Sequence, residues 1–355
     1  MELKYLGWDD CFATDFDKLN KYNKRNYLPA RVASCSGAVY RIYCADGEQM
    51  ARLAGSYTGM DGELPVVGDW VATERKGSDY VIRVLLPRRT WFARKPAISG
   101  GRKMKHGVVD GGATVAQVLA ANVDVVFMLS GMDDGISRAR TQRYLAVAAA
   151  GGVAPVLLLN KADLCPPEEA ALRVEELRAF AKCPVLVTST ATGMGLDAVH
   201  DYLQPGVTVA FLGPSGVGKS TMVNALFGEG LLQTGAVNAV TGKGRHTTTR
   251  AELLLHASGG MLIDTPGIRE LQLWCDADAL EESFADVAEL TAQCRFSDCG
   301  HSTEPGCAVR AALADGTLEA ARYENYRKLH AEVARLEGRR KQRAQMLGRR
   351  PGQRG

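Results

Sequence analysis

No stretch of this chain approaches the run of about eighteen apolar residues that a membrane span requires, and the polar start Met1-Glu-Leu-Lys4 has no signal-peptide pattern. Both absences lead to the expectation of a cytoplasmic protein. A disulfide framework is also missing. The nine cysteines are odd in number, and Cys11, Cys35, Cys44, Cys165, Cys183 and Cys275 are scattered without regular spacing, so reduced thiols are expected. Nor is there an excess of charge: 43 Lys and Arg against 40 Asp and Glu leave a net +3, so a local excess of one sign stands out. What is present is length. At 355 residues the chain has material for two or three domains with real cores.

The segment Gly213-Pro214-Ser215-Gly216-Val217-Gly218-Lys219-Ser220 follows an apolar strand pattern, Val207 to Leu212, and opens a helical one with Thr221 in its first turn. This is a G-x4-G-K-[ST] loop, whose backbone N–H groups and helix N-terminus cradle phosphates. Lys219 is expected to reach the β- and γ-phosphates and Ser220 to offer its hydroxyl to Mg²⁺. Downstream, the apolar run Met261-Leu-Ile263 ends in Asp264-Thr-Pro-Gly267, which supplies a Walker-B-type carboxylate for the metal at a strand end, with Asp264 and Gly267 both expected at the nucleotide.

Asn160-Lys161-Ala162-Asp163 follows the buried-strand pattern Val156-Leu-Leu-Leu159, which puts it at the carboxyl end of a parallel strand, where α/β sheets bind ligands. The Asp163 carboxylate can accept from both N1–H and the exocyclic amine of guanine, a pattern that adenine cannot reciprocate. Lys161 would lie over the base, and Ser189-Thr190, after the strand Pro184 to Thr188, stands where another base-contacting loop belongs. Each motif alone is weak. Their conjunction describes a GTPase in inverted order, the base-reading tetrapeptide preceding the phosphate loop. A P-loop ATPase or kinase, with Asn-Lys-x-Asp accidental, and an RNA-binding scaffold with a vestigial nucleotide site are the alternatives.

The remaining cysteines form Cys294-x4-Cys299-x-His301-x5-Cys307. Three thiolates and one imidazole fill a tetrahedral Zn²⁺ site completely, so the expected zinc is structural, one per chain; a catalytic zinc would keep an open position.

Five short strand patterns, Ala30 to Ser34, Ala38 to Cys44, Gln49 to Leu53, Val66 to Thr73 and Tyr80 to Leu86, predict a small barrel of the oligonucleotide-binding type. Arg88 to Gly112 is basic, with Trp91 and Phe92 interleaved, and reads equally as a solvated linker or a single-strand nucleic-acid surface. From Val123 strands and helices alternate, as in a doubly wound α/β domain: strand to Leu129, helix Arg138 to Ala150, strand Val153 to Leu159, helix Glu168 to Ala181, strand Val185 to Thr188, strand Val207 to Leu212 and helix Lys219 to Phe227, then strands around Leu253 and Leu262. Between them Gly228 to Arg250 has the position of a nucleotide-sensing switch, and its Arg245-His246-Thr247-Thr248-Thr249 offers hydroxyls to Mg²⁺, Thr248 foremost. After Asp276 the patterns are helical: Ala279 to Ala292, Ala308 to Ala314, and Leu318 to about Leu347 with a stripe of Tyr323, Tyr326, Leu329, Val333 and Leu336. Residues 1–112, 113–275 and 276–355 are the expected domains. Arg339 to Gly355 holds seven Lys and Arg and no acid, which favours a polyanion such as RNA.

The order Asn160 to Asp163, Gly213 to Ser220, Gly244-Arg-His-Thr-Thr-Thr249 and Asp264 to Gly267, preceded by Gln117-Val-Leu-Ala-Ala-Asn-Val-Asp124 and followed by the Cys/His cluster, resembles the RsgA (YjeQ/YloQ) family of circularly permuted bacterial GTPases. The resemblance spans about residues 28 to 330. It implies a multi-domain α/β protein: an N-terminal OB-fold β-barrel, a circularly permuted P-loop GTPase domain, and a C-terminal helical zinc-binding domain. It also implies a monomer whose barrel and zinc domain contact rRNA of the small ribosomal subunit, and slow GTP hydrolysis stimulated by that subunit. Ile268 stands where many GTPases carry a water-orienting glutamine, so His246 is the candidate for that role. Unaided turnover is expected at about 10⁻⁴ to 10⁻² s⁻¹.

Overall fold

The structure is a computed structural model and describes residues 1–58, 63–77, 79–94, 104–105, 108–109, 117–133, 136–214, 216–228, 251–264, 280–281, 284–331 and 333–334. Two compact units emerge, one of Met1–Phe92, Val118–Ile136 and Gly151–Leu271, the other of Ala93–Gln117, Ser137–Ala150 and Gln272–Gly355.

The first unit begins with the barrel. Strands β1 (Leu28–Ser36), β2 (Val39–Cys44), β3 (Gly47–Thr58), β4 (Trp70–Lys76) and β5 (Asp79–Leu85) run in the order β1-β2-β3-β5-β4, and β4 pairs back onto β1 to close the sheet. Closure leaves the inward residues to fill a narrow interior. Ala30, Val32, Ala51 and Val71 do so between the larger Tyr40, Ile42, Tyr80 and Ile82. The fourth strand starts later than the expected Val66. Val66 N–H donates to Asp69 Oδ2 at 2.7 Å, and Gly68, at φ 87°, turns the chain where a β-carbon would lie 2.0 Å from Ala121 O.

The sequence patterns give no counterpart of helix α1 (Asp10–Asn23). Its N-cap is Asp9, whose Oδ1 accepts from Cys11 N–H at 3.0 Å and Phe12 N–H at 3.1 Å. Only Phe12 and Phe16 are buried on it, packed against Trp8, and Trp8 meets Trp70 edge to face at 4.6 Å.

Short strands β6 (Trp91–Arg94), β7 (Met104–Lys105), β8 (Val108–Val109) and β9 (Gln117–Ala121) lead into the α/β sheet. Its strands β10 (Val125–Gly131), β11 (Ala154–Asn160), β12 (Val185–Val187) and β13 (Thr208–Leu212) are joined at the far edge by β14 (Glu252–Leu255) and β15 (Met261–Asp264). The order is β12-β11-β10-β13-β15-β14, all parallel except β14, which also meets the barrel through Ser34 and Glu252. Helices cover such strands on both faces, which explains their unbroken apolar runs. Phe127, Leu129, Val156, Leu158, Val209 and Phe211 pack with Met222, Val223 and Leu226 of α5 (Lys219–Phe227). Helices α3 (Pro167–Ala181) and α4 (Leu196–His200) flank β12 in sequence. The strand order reverses between β10 and β13, and a crevice at the carboxyl ends of that pair is where open α/β sheets take ligands.

Arg31 ties barrel and sheet together. Fully buried, it donates from Nε to Gly68 O at 3.2 Å, from Nη2 to Asn122 O at 2.7 Å and from Nη1 to Leu6 O. Burial pulls its pKa down to about 10, so it remains a cation. In the basic connection, Arg88 pairs with Asp69 and Glu63, Arg89 pairs with Asp9, and Phe92 is fully buried. Of that stretch, 95–103, 106–107 and 110–112 lie outside the described residues.

The second unit contains α2 (Arg138–Ala150), α6 (Ala285–Ala292), α7 (Ala308–Asp315) and a helix over 320–331, here α8. Arg138 pairs with Glu319 and Asn325 Nδ2 donates to Gln142 Oε1 at 3.3 Å, while Arg322 forks onto Asp286 and lies over the Phe284 ring. Tyr326, Leu329 and Val333 of the expected stripe are buried and Tyr323 is half-buried; Leu336 and the basic tail fall outside the described residues.

Candidate functional site

The carboxyl ends of β11, β12, β13 and β15 bring the motifs together. At the end of β13, Gly213 lies where a β-carbon would stand 2.9 Å from Leu129 O, so the phosphate loop leaves the sheet through a gap open to glycine. Gly218, at φ 100°, is the loop's last residue before α5, and a β-carbon there would fall 2.5 Å from Asn160 Nδ2. That approach has a purpose in the geometry: buried Asn160 donates from Nδ2 to Val217 O at 3.0 Å, across 57 residues of sequence. Its Oδ1 accepts from Thr190 N–H at 3.3 Å and from Thr188 Oγ1 at 3.4 Å. One amide thus holds the phosphate loop and the loop after β12 in fixed register.

Lys219 is buried in the first turn of α5, with Nζ donating to Gly213 O at 2.7 Å and Pro214 O at 2.6 Å, while Ser220 and Thr221 are exposed beside it. An ammonium curled into the ring of its own loop is charge placed where phosphate oxygens bind. Asp264, half-buried, ends β15. Ser215, Gly267, and His246 and Thr248 of the expected switch lie outside the described residues.

On the other side, Lys161 adopts the left-handed conformation at φ 64°, and its Nζ lies 2.6 Å from Asp133 Oδ2. Asp163 is held by Ser189, whose hydroxyl donates to Oδ1 and accepts from Thr192 N–H at 3.2 Å. The tight turn that presents Ser189 closes on Gly195, where a β-carbon would lie 2.1 Å from Val187 O. Asp133 and Thr188 belong to no motif. The sequence signal for Asp133 is only its place just beyond the apolar run of β10.

The second unit carries the metal-ligand cluster. The ligand atoms of Cys294, Cys299, His301 and Cys307 all lie within 4.8 Å of one another. Cys294 Sγ is 3.5 Å from His301 Nδ1 and 3.9 Å from Cys307 Sγ, and Cys307 Sγ is 3.4 Å from His301 Nδ1. With Zn–S about 2.3 Å and Zn–N about 2.0 Å, a tetrahedral site separates its ligand atoms by about 3.5 to 3.8 Å, so the cluster fits Zn²⁺. The loop is built for this shape. His301 is left-handed at φ 56°, Gly306 turns at φ 74° to accept from Arg295 N–H at 3.1 Å, and Cys307 caps α7 by accepting from Arg310 N–H at 3.4 Å. Glu304, absent from the motif, pins the connection. Its carboxylate accepts from the N–H groups of Gly300, Ser302 and Thr303, and backbone hydrogen bonding pulls its pKa down to about 2.

Residues 86–274 match the family described as RsgA GTPase. A protein of Opitutus terrae named small ribosomal subunit biogenesis GTPase RsgA is 44% identical over 348 residues, covering 94% of this chain and 90% of the relative. One of the same name from Syntrophotalea carbinolica is 43% identical over 338 residues, with 94% and 90% covered. Among solved structures, YjeQ from Thermotoga maritima superposes with a TM-score of 0.62 at 28% identity, covering 87% of this chain and 99% of that one. YloQ, described as a circularly permuted GTPase, gives 0.58 at 22% identity over 87% and 96%, a likeness of fold.

Proposed function

The chain belongs to the RsgA GTPase family, and from that membership we propose that it hydrolyses GTP to GDP and phosphate on the small ribosomal subunit, late in that subunit's maturation, with turnover stimulated by the subunit. One observation supports the nucleotide reading: Asn160 of the base-reading tetrapeptide bonds the backbone of the phosphate loop, so two motifs in inverted sequence order meet at one end of the sheet. Asp163 takes the guanine edge, with Ser189 orienting it; Lys161 floors the base; Asn160 and Thr190 fix the loops. Gly213 to Thr221 wrap the phosphates, and Lys219 exchanges its two loop carbonyls for phosphate oxygens, a stronger charge-assisted contact. Ser220, Thr248 and Asp264 would hold Mg²⁺, which neutralises charge on the phosphates when bound. Gly267 contacts the γ-phosphate, and His246 orients the attacking water in place of Ile268. Cys294, Cys299, His301 and Cys307 hold a structural Zn²⁺.

The proposed protein is a cytoplasmic monomer in three parts, 1–112, 113–275 and 276–355, with the barrel and zinc module meeting rRNA; among the described residues no helix is long and apolar enough to cross a membrane. The test is co-sedimentation of the purified protein with small ribosomal subunits in GDP and in a non-hydrolysable GTP analogue, alongside GTP turnover with and without subunits. Tighter association in the GTP analogue and a turnover raised by subunits are expected. Nucleotide-independent binding and unchanged turnover would reject the ribosomal reading.

A further inference from the structure

At the carboxyl end of β10, Gly131 sits opposite Asn160 in the parallel ladder. A β-carbon on Gly131 would fall 2.3 Å from Asp133 Oδ1 and 3.9 Å from Lys161 Cδ, so the Asp133 carboxylate and the Lys161 stem both lie over the bare face of this glycine. The carboxylate accepts from Lys161 Nζ at 2.6 Å. Lys161 leaves a left-handed backbone with a long flexible stem, and such a side chain loses considerable rotamer freedom when it must lie flat under a base. The ion pair removes that freedom beforehand. Its two side chains are 27% and 29% exposed, so solvent screens the attraction only in part.

We propose that Asp133 is a positioning residue for the nucleotide, holding the Lys161 stem as the floor under the purine, and that Gly131 is the specificity-neutral gap which lets it do so. This rests on the nucleotide reading above, in which Lys161 lies against the base. Because Lys161 contacts the face of the ring and Asp163 its edge, Asp133 sets how long a purine nucleotide stays and has no part in choosing which purine it is. The two functions separate in experiment.

Dissociation of a fluorescent GDP derivative, and the competition of GDP against inosine diphosphate for it, would be measured for wild type, Lys161→Ala, Asp133→Asn, Asp133→Glu and Gly131→Ala, with KM and kcat for GTP. Asp133→Asn is expected to speed dissociation by about threefold to tenfold, with the loss appearing in KM and not in kcat. Gly131→Ala should act in the same direction by displacing the carboxylate, and Asp133→Glu, which keeps the charge, should recover part of the loss. The preference for GDP over inosine diphosphate should match wild type throughout. Wild-type dissociation in Asp133→Asn, with Lys161→Ala impaired, would overturn the proposal while sparing the nucleotide reading. Equal behaviour of Lys161→Ala and wild type would overturn both, and a lost base preference in Asp133→Asn would show damage to the pocket instead of a positioning role.

Discussion

Asp163 and Ser189 form the smallest unit in which chemistry and fold meet. A carboxylate that reads two N–H groups must present a fixed edge, and the Ser189 hydroxyl, itself anchored by accepting from Thr192 N–H, fixes it. Asp163→Asn places an N–H where guanine also has one, whereas xanthine offers a carbonyl there. The variant is therefore expected to lose GTP affinity by about a hundredfold, as a donor is set against a donor, and to gain xanthosine triphosphate. Ser189→Ala should weaken GTP by less, about tenfold at most, without this exchange of base. Competition binding with both triphosphates measures each; unchanged guanine preference in Asp163→Asn would reject the assignment. Lys219→Ala removes a cation from the phosphate loop and should abolish useful turnover, read as GTP hydrolysed per chain.

At the scale of elements, legibility follows burial. The parallel strands are readable because both of their faces are covered, which writes them as runs such as Val156-Leu-Leu-Leu159; the fourth barrel strand is readable only in part, since Gly68 and Asp69 bend the chain for reasons visible only against Ala121. Helix α1 escapes because its apolar face is just Phe12 and Phe16, while its stability depends on a cap and on aromatic neighbours distant in sequence. The site divides in the same way. Residues within a spaced motif are named by the sequence, whereas Asp133, Thr188 and Glu304 act by position and have no spacing to betray them. The cap on α1 can be tested. Hydrogen bonding from Arg89, aided by the Phe12 and Cys11 N–H groups, holds Asp9 down at about 2, so its folded pKa is below the unfolded value. Its stabilisation is complete above the ordinary carboxylate range and is lost as pH falls from about 4 towards about 2. Asp9→Ala should cost about 1 kcal/mol at neutral pH and flatten that part of the acid limb, measured by denaturant unfolding across pH. The Cys/His loop makes a parallel case. Chelation, or Cys299→Ser, should loosen α6 and α7 to proteolysis while GDP binding persists, because a closed site couples its metal to local folding. Metal analysis of the intact protein should find one zinc per chain, and its absence would count against the cluster's assignment.

Across the whole molecule, the chain leaves the first unit after β10, contributes α2 to the second, and returns as β11. Within the second unit, Arg138 and Gln142 of that helix bond Glu319 and Asn325, and the same unit carries the Cys/His cluster. Two sequence features at this scale act on different steps. The proposed function gives His246 the orientation of water, and Arg339 to Gly355, with seven cations and no acid, is proposed to bind phosphate. Small subunits should therefore raise GTP turnover strongly in wild type and much less in His246→Ala, with GTP binding retained. Removing Arg339 to Gly355 should instead weaken subunit binding, and should lower the slope of log affinity against log salt by about one for each phosphate that the tail neutralises, since each such pairing releases counterions from the RNA. Turnover at saturating subunit and co-sedimentation over a salt series separate the two defects. If the truncated chain keeps the wild-type salt slope, the tail binds no phosphate, and if His246→Ala is stimulated as fully as wild type, the water is oriented by another group.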